Sequence, residues 1–107
     1  MASGILGQAK PGSATTTTLY TVPASTVTSF SISAVAIGAP DNVQIAITTT
    51  ASAGNPNDYE YIEYNTTISS NGVLERTGIV ADADKNIVVY SASGNVAFSV
   101  YGIEGDA

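Results

Sequence analysis

Three glutamates in the middle of the chain are the residues that could most readily carry out chemistry. A pair of carboxyl groups on either side of a sugar is the machinery of glycoside hydrolysis, and Glu60, Glu63 and Glu75 could supply such a pair. However, Glu60 and Glu63 lie three positions apart in a stretch with strand composition, so their side chains would point to opposite faces. A chain of 107 residues also leaves little room for a substrate groove. We therefore expect that the protein is not an enzyme and has no catalytic residues.

A second candidate site is the segment from Asp82 to Asn86, which has the D-x-D-x-N beginning of a calcium loop. It lacks the glycine at the sixth position and the glutamate at the twelfth that complete such a loop. We therefore predict a turn between strands. The chain has no cysteine and no histidine, which removes thiolate and imidazole ligands and the usual general base. We expect no metal and no cofactor.

Tyrosines form the third candidate group. Tyr59, Tyr61 and Tyr64 are close in sequence, and Tyr90 and Tyr101 follow later. Amphipathic aromatic side chains are enriched in subunit interfaces, where one part of the ring is buried and the hydroxyl stays wet. They could also form a platform that stacks on sugars. We favour the interface and predict Tyr59, Tyr61 and Tyr64 as partner-binding residues.

The charge balance excludes several classes of partner. The net charge is −6, with only three lysines and arginines in total. Binding to nucleic acid or to an anionic membrane requires clustered basic residues, so we expect neither. No apolar run has the length that spans a bilayer. The N-terminus, MASGILGQAK, also lacks the pattern of a secretory signal.

The elements that would carry these residues are strands. In the central stretch from residue 59 to 80, two extended segments flank a turn at Ser70-Asn71-Gly72. In the first segment, Tyr59, Tyr61 and Glu63 would share one face. The two segments would form a hairpin or a sheet-to-sheet connection. Acids lie around Arg76, so we expect one cross-strand ion pair on a solvated face.

Further strands are predicted on both sides of this stretch. They cover residues 18–22, 26–37, 43–47, 86–91 and 96–104, with turn residues between them. This spacing is typical of an all-β antiparallel β-sandwich or jelly roll of about seven to eight strands. The predicted core consists of apolar residues at alternating positions: Leu19, Val22, Phe30, Ile32, Val43, Ile45, Ile47, Ile62, Leu74, Ile79, Ile87, Val89, Val96, Phe98, Val100 and Ile103.

The first seventeen residues differ from the rest because they are small and polar. Residues 1–17 are predicted to be a flexible N-terminal arm, followed by a single β-sandwich domain over residues 18–107. Ile5 and Leu6 are the exceptions in this segment, an apolar pair with glycine on each side. We predict both as partner-binding residues that order on a neighbouring subunit.

Several segments together resemble a known family. LGQ at residues 6–8, LYTVPAS at 19–25, YIEYNTTISSNGVLERTGIV at 61–80 and KNIVVYSASGNVAFSVYGIE at 85–104 resemble small virion structural proteins of tailed bacteriophages. The likeness is strongest to those of marine and cyanobacterial phages, and it covers nearly the whole chain. The family has no catalytic motif to transfer.

The resemblance implies a structural function in a phage particle. The favoured interpretation is a capsid decoration or cement protein that is made in the host cytoplasm and binds the outer surface of the assembled head. Its partners would be the major capsid protein or other virion proteins, and it would form a homo-oligomer, with a trimer favoured. One alternative is a structural protein of the tail, collar, baseplate or fibre. Another is a carbohydrate-binding module for host surface glycans.

Overall fold

Eight antiparallel strands make up most of the structure, which is a computed structural model that describes residues 3–106. The strands are β1 (Ser3–Ala9), β2 (Thr17–Thr21), β3 (Thr26–Ala36), β4 (Asp41–Thr48), β5 (Tyr61–Ile68), β6 (Val73–Ala81), β7 (Asn86–Ser91) and β8 (Val96–Asp106). Two short 3₁₀ turns, Thr50–Ser52 and Asp58–Glu60, lie between β4 and β5. The predicted all-β sandwich is confirmed.

The strand order is that of a jelly roll. One sheet has the order β1-β8-β3-β6 and the other has the order β2-β7-β4-β5. The first strand therefore pairs with the last, the second with the seventh, the third with the sixth and the fourth with the fifth. This pattern is one long eight-stranded hairpin that has been wound up into two facing sheets.

Alternation of side chains explains why these segments form strands around one core. Along β3, the buried positions Thr26, Thr28, Phe30, Ile32 and Ala34 alternate with more exposed ones. Valine, isoleucine and threonine favour such half-buried pleated surfaces. The same alternation in β8 buries its apolar residues against β3 and the facing sheet.

Most of the predicted core is confirmed, with one error. Eleven of the predicted residues are buried, and Ile47, Ile62, Leu74 and Ile79 pack against them from partly buried positions. Ile103 was predicted to be buried, but 65% of it is exposed. It lies three positions after the buried Val100 on a regular part of β8, so its side chain points to the opposite face.

The central stretch crosses from one sheet to the other. β5 is the edge strand of one sheet and β6 is the edge strand of the other, so the two are not a hairpin. The connection turns at Asn71, which has a positive φ of 60° and whose Oδ1 accepts a hydrogen bond from the backbone N–H of Gly38. Of the two predicted alternatives, the sheet-to-sheet connection is therefore the one observed.

The predicted flexible arm is wrong for residues 3–9, which form β1. This strand pairs with β8 from Ser3 opposite Ile103 to Ala9 opposite Phe98. Leu6 and Ala9 pack against the core, so the segment is part of the domain that was predicted to begin at residue 18. Gly7 makes this possible, since a Cβ there would lie only 2.4 Å from the backbone oxygen of Leu19. The rest of the predicted arm includes Met1 and Ala2, which lie outside the described residues.

Candidate binding surfaces

The loop between β4 and β5 positions the tyrosines, and a carboxylate holds this loop together. One oxygen of Glu60 accepts a hydrogen bond from the backbone N–H of Asn57 at 2.8 Å, and the other accepts from the Ser52 hydroxyl at 2.9 Å. The hydrogen bond from Asn57 is the main reason that the pKa of Glu60 lies below its ordinary value. The ionised carboxylate of Glu60 therefore stabilises the loop, and it is called here the clamp.

This loop covers the outward side of the β2-β7-β4-β5 sheet. Ala46 and Val88 occupy outward positions on neighbouring strands, yet both are buried. Pro56 and Tyr61 line the same small, partly open space as these two residues. The outer side of this sheet is thus partly shielded, and the ring of Tyr61 is anchored at the border of the shielded region.

Tyr61 and Tyr64 come together in one cleft. Their ring centroids are 4.9 Å apart and the ring planes make an angle of 72°. Residues three positions apart on a regular strand would point to opposite faces, but β5 shifts its register against β4 twice between Tyr61 and Thr66. Such bulges insert extra residues and redirect side chains. The two rings and Asp58 line an open cleft of about 400 Å³.

The cleft is electrostatically negative. Burial is the main cause that raises the pKa of the Tyr61 phenol, and the proximity of Tyr64, Asp58 and Glu60 raises it further. Asp58 forms no hydrogen bond or ion pair with the residues that the structure describes, whereas the Glu60 carboxylate is occupied by the loop. Asp58 is therefore a carboxylate next to two aromatic rings that is available to a ligand.

The other predicted partner residues lie elsewhere. Tyr59 is 85% exposed and lies on the 3₁₀ turn rather than on β5, so it does not share a strand face with Tyr61. Its hydroxyl is 3.3 Å from the side-chain nitrogen of Asn57. Ile5 is 59% exposed, but Leu6 packs against its own core. Ile5 is therefore accessible to a partner, whereas Leu6 is used within its own domain.

A second surface is the outer side of the β1-β8-β3-β6 sheet, called here the flat face. The register places Ile103 opposite Ser3 on one side and Ser29 on the other, and Ser29 lies opposite Val80. Ile103 and Val80 are 65% and 64% exposed. Most other positions on this face are small or apolar: Ile5, Val27, Ser31, Ser33, Val35, Val73, Ala97 and Ser99. Gln8 and Tyr101 add polar groups to it.

Charge is scarce on the flat face. Glu75 is the one charged residue among the outward strand positions that the pairing register defines there, and it accepts a hydrogen bond at 3.0 Å from the hydroxyl of Tyr101. That hydrogen bond is also the main reason that the pKa of Tyr101 is raised. At about 3.3 Å per residue and 4.8 Å between strands, the 38 residues of these four strands cover about 600 Å². One side of an ordinary protein interface is about 800 Å², so the flat face would account for most of one.

The three glutamates do not form a common site. Glu60 holds the loop, Glu63 pairs with Arg76 and Glu75 lies on the flat face. The segment after Asp82 forms the predicted turn, in which Lys85 pairs with Asp82 at 3.2 Å. Among residues 3–106, no group of acidic side chains is arranged to hold a metal ion.

Two features of these surfaces were missed by the sequence reasoning. The flat face was not identified, although the alternation in β3 and β8 already places serines on its outer side. Asp58 was not identified as a site residue, and its place beside Tyr61 and Tyr64 depends on the bulges in β5. The flat face could have been found by following the alternation to the end of β8. The position of Asp58 beside the two rings has no signal in the sequence.

The helical segments of residues 3–106 are single short turns, and none has the length or apolar character needed to cross a membrane.

Comparison with known proteins finds no relative of this chain. No family model, no curated protein and no solved structure matches it.

Proposed function

We propose that this domain is a structural protein of a tailed-phage particle, a decoration or cement protein that binds the outside of the assembled head and stabilises it. The observation that carries the proposal is the flat face. A broad surface with little charge that exposes Ile5, Val73, Val80 and Ile103 among small side chains is suited to binding another protein.

Three further arguments support this function. The likeness of LYTVPAS and the later segments to small virion proteins runs through β2, β5, β6, β7 and β8. Jelly rolls are also a common architecture of viral capsid domains, which supports the proposal by analogy of fold. The net charge of −6 disfavours the DNA-filled interior of a head and favours its outside.

A cement protein acts by binding only the assembled state. Each contact with the shell then stabilises the assembly through mass action. The flat face would lie against the shell. We also propose that three copies associate, as expected at local threefold positions of a capsid lattice. Light scattering of the purified protein would measure this stoichiometry directly.

The location is tested by immunogold labelling of intact phage particles with an antibody against this chain. Label scattered over the head is the expected result. Label confined to the tail, collar or baseplate would overturn the decoration proposal in favour of a tail-associated structural protein. Mass spectrometry of purified particles is the companion measurement, and absence of the chain from them would overturn a virion function altogether.

A further inference from the structure

The cleft formed by Asp58, Tyr61 and Tyr64 has the composition of a site for an organic cation. Two tyrosine rings meet at a steep angle, so the cleft presents aromatic surface from two directions. The face of an aromatic ring attracts a cation through the quadrupole of the ring. The volume of about 400 Å³ is within the range of small-ligand sites.

Asp58 supplies the charge that such a ligand requires. Its carboxylate has no partner among the described residues, whereas the nearby Glu60 is held by Asn57 and Ser52. A free carboxylate beside two rings could form paired hydrogen bonds with a planar guanidinium while the rings contact its face. A neutral sugar would use the rings but would gain nothing from the negative charge.

We propose that this cleft binds an arginine side chain presented by a partner protein. The guanidinium would pair with the Asp58 carboxylate and stack on Tyr61 or Tyr64. Arginine is favoured over lysine because its planar group can make both contacts at once. The site is separate from the flat face, and this proposal stands independently of where the chain is located on a particle.

The test is an NMR titration of the whole protein with N-acetyl-arginine amide at low ionic strength, following the assigned ring signals of its six tyrosines. The expected result is a saturable shift of the Tyr61 and Tyr64 signals that weakens as salt is added. N-acetyl-citrulline amide, the neutral isostere of the probe, should leave these signals unchanged. Equal shifts with both probes would overturn the proposal, because charge would then have no part in binding.

Variants distinguish binding in the cleft from a general effect of the negative charge of the protein. Asp58→Asn is expected to weaken binding about two- to fivefold, the range for one partly exposed charge. Asp84→Asn removes the same charge from a distant exposed turn and should not change the affinity. Tyr64→Leu should weaken binding, whereas Tyr59→Leu changes a ring outside the cleft and should not.

Two other ligands provide further outcomes that would overturn the arginine assignment. Choline is a quaternary ammonium ion that lacks the planar fork, and tighter binding of choline than of the arginine probe would indicate a site for a lipid or choline headgroup. Shifts at Tyr61 and Tyr64 with methyl glycosides, with no response to the arginine probe, would indicate a glycan site.

Discussion

The guanidinium of Arg76 lies 2.8 Å from the carboxylate of Glu63 and joins two strands that belong to different sheets. Arg76 lies opposite the buried Ile32, so it occupies an inward position on β6. At the edge of the sandwich this position allows the long side chain to reach across to β5. The predicted ion pair is therefore a link between the two sheets rather than a contact within one face.

Replacing Arg76 with methionine is expected to destabilise the fold by about 1 kcal/mol. Without Arg76, the mostly buried carboxylate of Glu63 would keep only its hydrogen bond from Thr66. The loss of stability is limited because the side chain of Arg76 is partly exposed to solvent. Urea denaturation should show a lower midpoint, and a double-mutant cycle with Glu63→Gln should give a coupling energy that falls as salt is added.

Lys85→Met is the matched control, because its partner Asp82 is largely exposed and the pair lies within one turn. This variant should change the free energy of unfolding by less than about 0.5 kcal/mol. A coupling between Glu63 and Arg76 no larger than that between Asp82 and Lys85 would show that the inter-sheet position adds nothing.

Asp41 makes the stability depend on acid pH. Burial of its carboxylate acts to raise the pKa, but the Ser91 hydroxyl and the backbone N–H groups of Asn42, Ser93 and Asn95 hydrogen-bond to the ionised form. The hydrogen bonds prevail, and the pKa of Asp41 in the folded protein lies below its ordinary value. The carboxylate therefore holds the connection between β7 and β8 against the beginning of β4.

The folded protein thus binds a proton on Asp41 less readily than the unfolded chain. The stabilisation is fully present above the unfolded pKa of about 3.9, and it is lost as the pH falls through the lower folded pKa. Asp41→Asn should cost about 1.5–3 kcal/mol at neutral pH, the range for hydrogen bonds to a charged group. Its unfolding free energy should also fall less between pH 5 and the acid end than that of the wild type.

Denaturant titrations at a series of pH values check this expectation, and Asp58→Asn is the control for removal of an acid from the surface. That variant should keep nearly the wild-type stability at neutral pH, since Asp58 has no hydrogen bond among the described residues to lose. Parallel profiles for Asp41→Asn and the wild type would contradict the assignment of acid sensitivity to Asp41.

A methyl group at Gly7 tests whether the N-terminal segment is a strand. The Cβ of an alanine there would lie 2.4 Å from the backbone oxygen of Leu19, so β1 or β2 would have to move. Gly7→Ala should therefore destabilise the domain by about 1–3 kcal/mol in thermal or urea unfolding. Gly54→Ala is the matched control, since a Cβ at Gly54 meets no atom within 4 Å. A Gly7→Ala variant with the stability of the wild type would instead support the predicted flexible arm.

If the flat face binds the particle as proposed, charge introduced there should reduce binding to the particle without unfolding the domain. Val80→Lys and Ile103→Lys change exposed positions, so each should alter stability by about 0.5 kcal/mol or less. Both should reduce occupancy of the chain on purified particles, because a buried unpaired lysine is costly in an interface. Thr18→Lys adds the same charge at an exposed position of β2 on the other sheet. Full occupancy by all three variants would exclude the flat face as the binding surface.

The fold class was predictable because alternation in β3 and β8 and regular turn signals are local properties of the sequence. The strand at Ser3–Ala9 was not, since its glycines and small residues have little strand preference and its pairing with β8 is made at the other end of the chain. The exposure of Ile103 could have been predicted, because side chains three positions apart on a regular strand, such as Val100 and Ile103, point to opposite faces.

The candidate site was only partly predictable. Tyr61 and Tyr64 were identified as binding residues by type, but a regular strand would separate them, and it is the shifted register of β5 that brings their rings to 4.9 Å. Tyr59 was assigned to the same strand, whereas the clamp at Glu60 fixes a 3₁₀ turn there. Bulges and side-chain clamps depend on contacts that a linear pattern does not contain.

The winding of the chain also determines when it can fold during synthesis. β8 is the last of the eight strands in chain order, yet it lies between β1 and β3 and forms the middle of its sheet. Until β8 has left the ribosome, β1 has no pairing partner and the inner edge of β3 is open. Only the β4–β5 pair is joined by a local connection, and the other pairings close over progressively longer stretches of chain. A nascent chain in which β8 has not yet been made therefore exposes unpaired strand edges, and this is the stage at which it needs protection from aggregation.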